Sequence, residues 1–132
     1  MRRAFLALLI AATPALAAPS GLTVRGGETW LFRIALGQPV GAHRVALGTL
    51  PAPGEVRVTV KPLAGTMLTV QSNAPTQYLY RATLIFADGT ASAAKSCALP
   101  ANNRLALESW PQRAVAVRIA DFKPVGPGTV CP

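Results

Sequence analysis

Residues 77–97, QYLYRATLIFADGTASAAKSC, decide the fold class. Tyr78, Tyr80, Ala82, Leu84 and Phe86 alternate, and a period of two places them on one face of a strand. Asp88-Gly89 follows, and both residues tolerate the positive φ that a type I′ hairpin turn requires. Pairing Ala87 with Thr90 across that turn sets a register, with Phe86 opposite Ala91, Leu84 opposite Ala93 and Tyr80 opposite Cys97. Large side chains then face small ones, and Cys97 stands near the end of the hairpin.

On the N-terminal side of this hairpin the same pattern recurs between turn residues. Trp30, Phe32, Ile34 and Leu36 share a face, with Leu31, Arg33 and Ala35 opposite, and Gly37-Gln38-Pro39 ends the run. Residues 42–50 place His43, Val45, Leu47 and Thr49 on one face and Arg44 on the other. Pro51-Ala52-Pro53-Gly54 is a turn. Beyond it Val56, Val58 and Val60 point inward while Arg57, Thr59 and Lys61 point outward, until Pro62. Residues 66–72 offer Leu68 and Val70 to the core.

On the C-terminal side, residues 103–110 read either as a turn or two of helix or as a short strand with Leu105 and Leu107 inward. Residues 114–122 form the last strand, with Val115, Val117 and Ile119 on one side and Arg118 on the other. From Lys123 the density of proline and glycine excludes regular structure, which leaves a tail for a disulfide to hold. Seven to nine short strands with evenly spaced turns and no long helical pattern predict a single antiparallel β-sandwich. Its architecture is expected to be immunoglobulin-like, with a small barrel as the alternative.

The first residues set the compartment. Arg2-Arg3 precedes the apolar run Ala4 to Ala12, Thr13-Pro14 breaks it, and Ala15-Leu16-Ala17 supplies the small residues of a cleavage site. This is the pattern of a secretory signal peptide over residues 1–17, with Ala18 the alternative cut; the apolar run is too short to span a bilayer. Arg2-Arg3-Ala4-Phe5-Leu6 also looks like the core of a twin-arginine signal, without the usual polar residue before the pair. Cleavage leaves residues 18–132 as one domain, expected in the periplasm or outside the cell. The two leader arginines taken from thirteen basic residues leave eleven against five acids, a net charge of +6. No second long apolar stretch follows, so the mature chain is expected not to span a membrane.

Cys97 and Cys131 are the two cysteines, and in an oxidising compartment they read as one disulfide. Two thiols and a distant histidine are too few ligands for a structural metal site. His43 is the single histidine, and no serine elbow accompanies it or either aspartate in a hydrolase pattern. Glu28, Glu55 and Glu108 are scattered near predicted strand ends, as solvated charges on any such domain would be. Neither a C-x-x-C pair nor a phosphate-binding glycine motif is present. The expectation is a protein that is not an enzyme and has no cofactor or metal.

Positive charge is the feature that leans toward function. Arg33, Arg57, Lys61, Arg81 and Arg118 all take outward positions, and they would form one basic sheet face if their strands were neighbours. Trp110, between Ser109 and Pro111, reads either as a partner-binding aromatic or as a plug for the open end of the sandwich. Three functions follow as expectations. The first is an envelope module that contacts a protein partner or supports an assembly through an exposed edge strand. The second is a basic-faced domain for anionic lipid, lipopolysaccharide or acidic glycan. The third is an inhibitor of an exported hydrolase. Nucleic acid is not expected as a partner, because the compartment is wrong and no aromatic residues interleave with the arginines.

Overall fold

The computed structural model describes residues 20–128 and residue 131. The leader assigned to residues 1–17 lies outside them. The described chain is all β, with nine strands in two antiparallel sheets. These are β1 (Leu22–Arg25), β2 (Thr29–Ala35), β3 (Gln38–Val45), β4 (Val56–Lys61), β5 (Thr66–Ser72), β6 (Gln77–Ile85), β7 (Ala91–Ala94), β8 (Leu105–Trp110) and β9 (Ala116–Val125). The four-stranded sheet runs β1-β9-β6-β7, and the five-stranded sheet runs β3-β2-β4-β5-β8. No helix among the described residues is long and apolar enough to cross a membrane.

The sheets meet face to face because the alternating apolar residues of both point into one cluster. Leu22, Val24, Ala82, Leu84, Val117, Ile119 and Phe122 come from the first sheet. Phe32, Val56, Val58, Val60, Leu68, Val70 and Trp110 come from the second. Strand β5 is strictly alternating in burial, as a half-covered strand should be. At one end Phe122 stacks on Tyr80 (centroids 5.5 Å, planes 20° apart) and meets Phe32 (5.7 Å) and the edge of Tyr78 (6.2 Å). Aromatic pairs at these separations add to simple burial. Trp110 closes another part of the cluster, and its indole N–H donates to the Lys95 carbonyl at 2.9 Å. Thr66 is fully buried; its Oγ1 donates to Gln112 O and accepts from the Ala114 N–H, both at 2.8 Å, fixing the crossing that follows β8. Cys97 and Cys131 are joined in a disulfide.

Several local expectations are corrected. The hairpin of β6 and β7 is one residue out of the anticipated register, with Ile85 opposite Ala91 and Leu84 opposite Ser92. The Phe86 N–H donates to Thr90 O and the Gly89 N–H to Phe86 O, and Gly89 is the one residue of the Ala87–Gly89 loop at positive φ (87°). That is a three-residue turn with a glycine bulge, which the Asp88 carboxylate braces by accepting from both the N–H and the hydroxyl of Thr90. The strand expected over residues 42–50 instead covers Gln38–Val45, because Leu36 and Gly37 (φ 51° and 76°) turn the chain back at once. Leu36 therefore sits fully exposed at a hairpin tip and does not share the face of Phe32.

At the C-terminus β9 continues to Val125, so Lys123 and Pro124 belong to a strand and not to the tail. Proline is tolerated there because Tyr78, its cross-strand partner, exchanges both of its backbone bonds with Leu99 on its other side (2.7 and 3.3 Å). Asp121, at φ 55°, makes the bulge that lets β9 bend over β6. Residues 105–110 are a strand, but Leu105 and Leu107 point outward, not inward. The ladder with β5 sets this, since Leu107 pairs with the outward Thr69 and Ala106 with the inward Val70.

Candidate functional site

Cross-strand pairing decides which outward residues become neighbours. On the five-stranded sheet, His43, Leu31, Arg57, Gln71 and Leu105 form one outward row, and Val45, Thr29, Thr59, Thr69 and Leu107 form the next. Lys61, Met67 and Ser109 form a third. Thr29 and Thr59, both buried, share a hydrogen bond between their hydroxyls (2.9 Å). Arg57 is held down on the sheet: its guanidinium donates to Thr49 O at 3.1 Å and to Gln71 Oε1 at 2.6 Å. The first of these contacts also brings the loop after β3 over the sheet. There Leu47 joins Arg57, Thr59, Lys61, Thr69 and Leu105 around a depression of about 260 Å³. Arg33 lies further along the face and donates to Pro53 O at 3.1 Å.

This face combines cations with exposed apolar side chains. Leu47, Leu105 and Leu107 are 59%, 54% and 60% exposed. None of the outward side chains of its five strands is acidic. Each of the five acids of the chain has a hydrogen-bond partner. Glu28 accepts from Arg44 (2.9 Å), from the Arg25 N–H and from the Trp30 indole, and the Arg44 hydrogen bond above all holds its carboxyl below the usual range. Glu55 accepts from the Ala52 N–H within the loop before β4. Asp88 braces its turn, and its hydrogen bonds with Thr90 lower its pKa. Glu108 points to the inner side of β8 and accepts from the Cys97 N–H at 2.7 Å. Asp121 accepts from the Gln38 amide and lies 3.6 Å from the Arg81 guanidinium, on the other sheet.

The five basic residues expected on one face divide between two. Arg33, Arg57 and Lys61 are on the outer face of the five-stranded sheet. Arg81 and Arg118 are on the outer face of the four-stranded one, around a shallow depression floored by Thr83, Ala91, Ala93 and Ala120. Two sheets of a sandwich turn their outer faces in opposite directions, so these groups act separately. The second face lacks large exposed hydrophobic side chains, and Asp121 offsets part of its charge.

Trp110 is 8% exposed and packed in the core, so its ring is not presented to solvent. His43 is exposed on β3, and its Nδ1–H donates to Gly41 O at 3.0 Å. Tyr80 is a residue that sequence reasoning assigned only to the core. It also lines a cavity of about 490 Å³ beside the disulfide, with Lys95 and Glu108, and burial raises its phenol pKa. Among the described residues no group of three or more His, Cys, Asp or Glu side chains converges. Compared with protein-family models, with curated proteins and with solved structures, the chain matches none.

Proposed function

We propose that this chain is an exported sandwich of immunoglobulin-like architecture, without catalytic activity, whose five-stranded sheet seats on membrane surfaces carrying anionic lipid. The observation that carries this reading is a single depression in which Arg57 and Lys61 stand beside Leu47 and Leu105, on a sheet whose strands carry no outward acid. Lysine or arginine near an anionic bilayer contributes about 1 kcal/mol each, so Arg33, Arg57 and Lys61 would together supply about 3 kcal/mol at moderate salt. The half-exposed leucines add apolar area to be buried at the headgroup boundary, about 1 kcal/mol apiece for the part now in water. Cations alone would suit an acidic glycan equally well; the leucines favour an amphiphile. A second reading, an envelope module that contacts protein, draws its support from the β8 edge of the same sheet, whose open side no backbone group among the described residues pairs.

Flotation with lipid vesicles tests the lipid reading. The oxidised chain is expected to float with vesicles of phosphatidylcholine and phosphatidylglycerol and not with phosphatidylcholine alone, and less so as salt is raised toward 0.15 M. Arg57→Ser with Lys61→Ser should abolish most of the binding, and Leu105→Ser with Leu107→Ser should weaken it at every salt concentration. Arg81→Ser with Arg118→Ser, on the opposite face, should leave it unchanged. Equal binding to neutral vesicles, or full binding by the Arg57 and Lys61 variant, would refute the assignment.

A further inference from the structure

A sheet edge exposes a row of unpaired backbone groups, and proteins normally blunt it. Four strands of this sandwich are edges. Strands β1 and β7 are only four residues long, and β3 carries Pro39 and Gly41. Strand β8, LALESW, has six residues, no proline, no lysine and no bulge against its neighbour. Among the described residues no backbone hydrogen bond reaches its open side. Trp110 directs its carbonyl oxygen at Gly65, on the β5 side. Backbone groups alternate along a strand, so the N–H and C=O of Leu105, Leu107 and Ser109 are the ones facing outward from the sheet edge.

We propose that two copies of the chain associate through this edge, β8 against β8, as an antiparallel pair centred on Ala106. The sequence of the strand is complementary to itself in that register. Leu105 falls opposite Leu107 of the second copy, and the symmetry repeats the pair. Both residues present their backbone groups to the open side, so each such pair closes two main-chain hydrogen bonds, four in all. Arg104, exposed just before β8, falls opposite Glu108 of the second copy, again twice. The sides agree as well. Arg104, Ala106 and Glu108 share a parity and face the inner side of the edge, and Arg104 and Ala106 line the same depression there. Glu108 uses Oε1 for the Cys97 N–H, which leaves Oε2 for a guanidinium. Leu105 and Leu107 lie on the outward side in both copies, where four leucines would form one apolar strip. This is an isologous two-fold contact, in which one surface serves both partners. The backbone pairing does not depend on the lipid reading, although Leu105 and Leu107 enter both.

Paired single strands bury less than a standard interface, so the expected affinity is in the micromolar range. Sedimentation of the oxidised chain without lipid, across that range, should show the mass doubling with concentration. Leu107→Pro removes an N–H that faces the open side and takes nothing from the β5 ladder, so this variant should stay folded, by circular dichroism, and remain monomeric. Arg104→Glu should weaken association about tenfold or more by setting like charges together in both pairs. Arg104→Glu combined with Glu108→Arg should restore it. Amide exchange provides a check that needs no variant: Leu105 and Leu107 should slow as the concentration rises while Ala106 and Glu108 do not change. A monomer at all concentrations up to about 1 mM would overturn the proposal. So would a dimer that is indifferent to Leu107→Pro, or one that the charge exchange fails to restore.

Discussion

Replacing Leu36 by asparagine should make this protein more stable, although it deletes a large apolar side chain. Leu36 and Gly37 are the two central residues of the β2–β3 turn, and both have positive φ (51° and 76°). An L-residue with a branched chain costs about 1–2 kcal/mol in that region, whereas asparagine, whose side chain bonds locally, is at ease there. Nothing offsets the cost through burial, because the Leu36 side chain is fully exposed. Nor can the turn relax, since the Phe122 N–H donates to Gly37 O at 2.7 Å and ties it to β9 in the other sheet. Leu36→Asn should therefore gain about 1 kcal/mol, which for a domain of this size raises the melting temperature by about 4 °C. Urea unfolding followed by the fluorescence of Trp30 and Trp110 measures it, with an unchanged m-value expected. A midpoint that stays the same or falls would show that the Leu36 side chain contributes to the fold, and the reasoning from backbone geometry would be refuted.

Two further perturbations test the covalent and ionic parts of the account. The Cys97–Cys131 bond closes a loop across a separation of 34 residues. Chain entropy assigns such a loop about 4 kcal/mol, so the Cys97→Ser, Cys131→Ser double variant should lose about that much in urea unfolding, and a loss below about 1 kcal/mol would mean the tail is held by other contacts. Glu28 is held below its usual range chiefly by Arg44, so its folded pKa lies under the unfolded value of about 4.3. Its stabilisation is present above the unfolded pKa and is lost as the pH falls through the folded one. Because the Arg44 side chain is 66% exposed, solvent screens the pair. Glu28→Gln should then cost no more than about 1 kcal/mol at pH 7, and the gap should close in acid. A gap of equal size at pH 3 would assign the effect to shape and not to charge.

Alternation made most of the core legible before any coordinates. Val56, Val58 and Val60, and the Tyr78 to Phe86 series, lie on the faces expected of them. What escaped has definite physical causes. Strand β1 is four residues between glycines, too short for a periodic signal. The turn at Leu36 uses a residue that ordinarily avoids positive φ, so it looked like strand. At Asp88-Gly89 only glycine takes the left-handed conformation, and one extra residue in the loop shifts the whole register. The basic residues were correctly judged outward, but outward has two directions in a sandwich, and strand order alone decides between them.

Strand β8 shows why such order matters to function as well as to fold. From its sequence, burial of Leu105 and Leu107 competes with burial of Trp110, and the alternative parity that buries Trp110 also turns Ala106 inward and points Glu108 toward the other sheet. The ladder with β5 imposes that alternative. Glu108 is accommodated by the Cys97 N–H, next to the disulfide. The leucines are left in water, with Leu47 brought toward Leu105 by a loop that Arg57 anchors. The parity has its return in the core, where it buries Trp110, and it leaves Leu105 and Leu107 on the outer face. Leu105 and Leu107, the β8 edge and the cations Arg33, Arg57 and Lys61 all belong to the same sheet, and the loop after β3 adds Leu47. Scattered apolar exposure would need no explanation. Leu36, Leu50 and Leu63 are exposed as well, so exposure alone does not single out this face; the depression in which Leu47 and Leu105 stand beside Arg57 and Lys61 does, and the proposed contact with an anionic amphiphile rests on it.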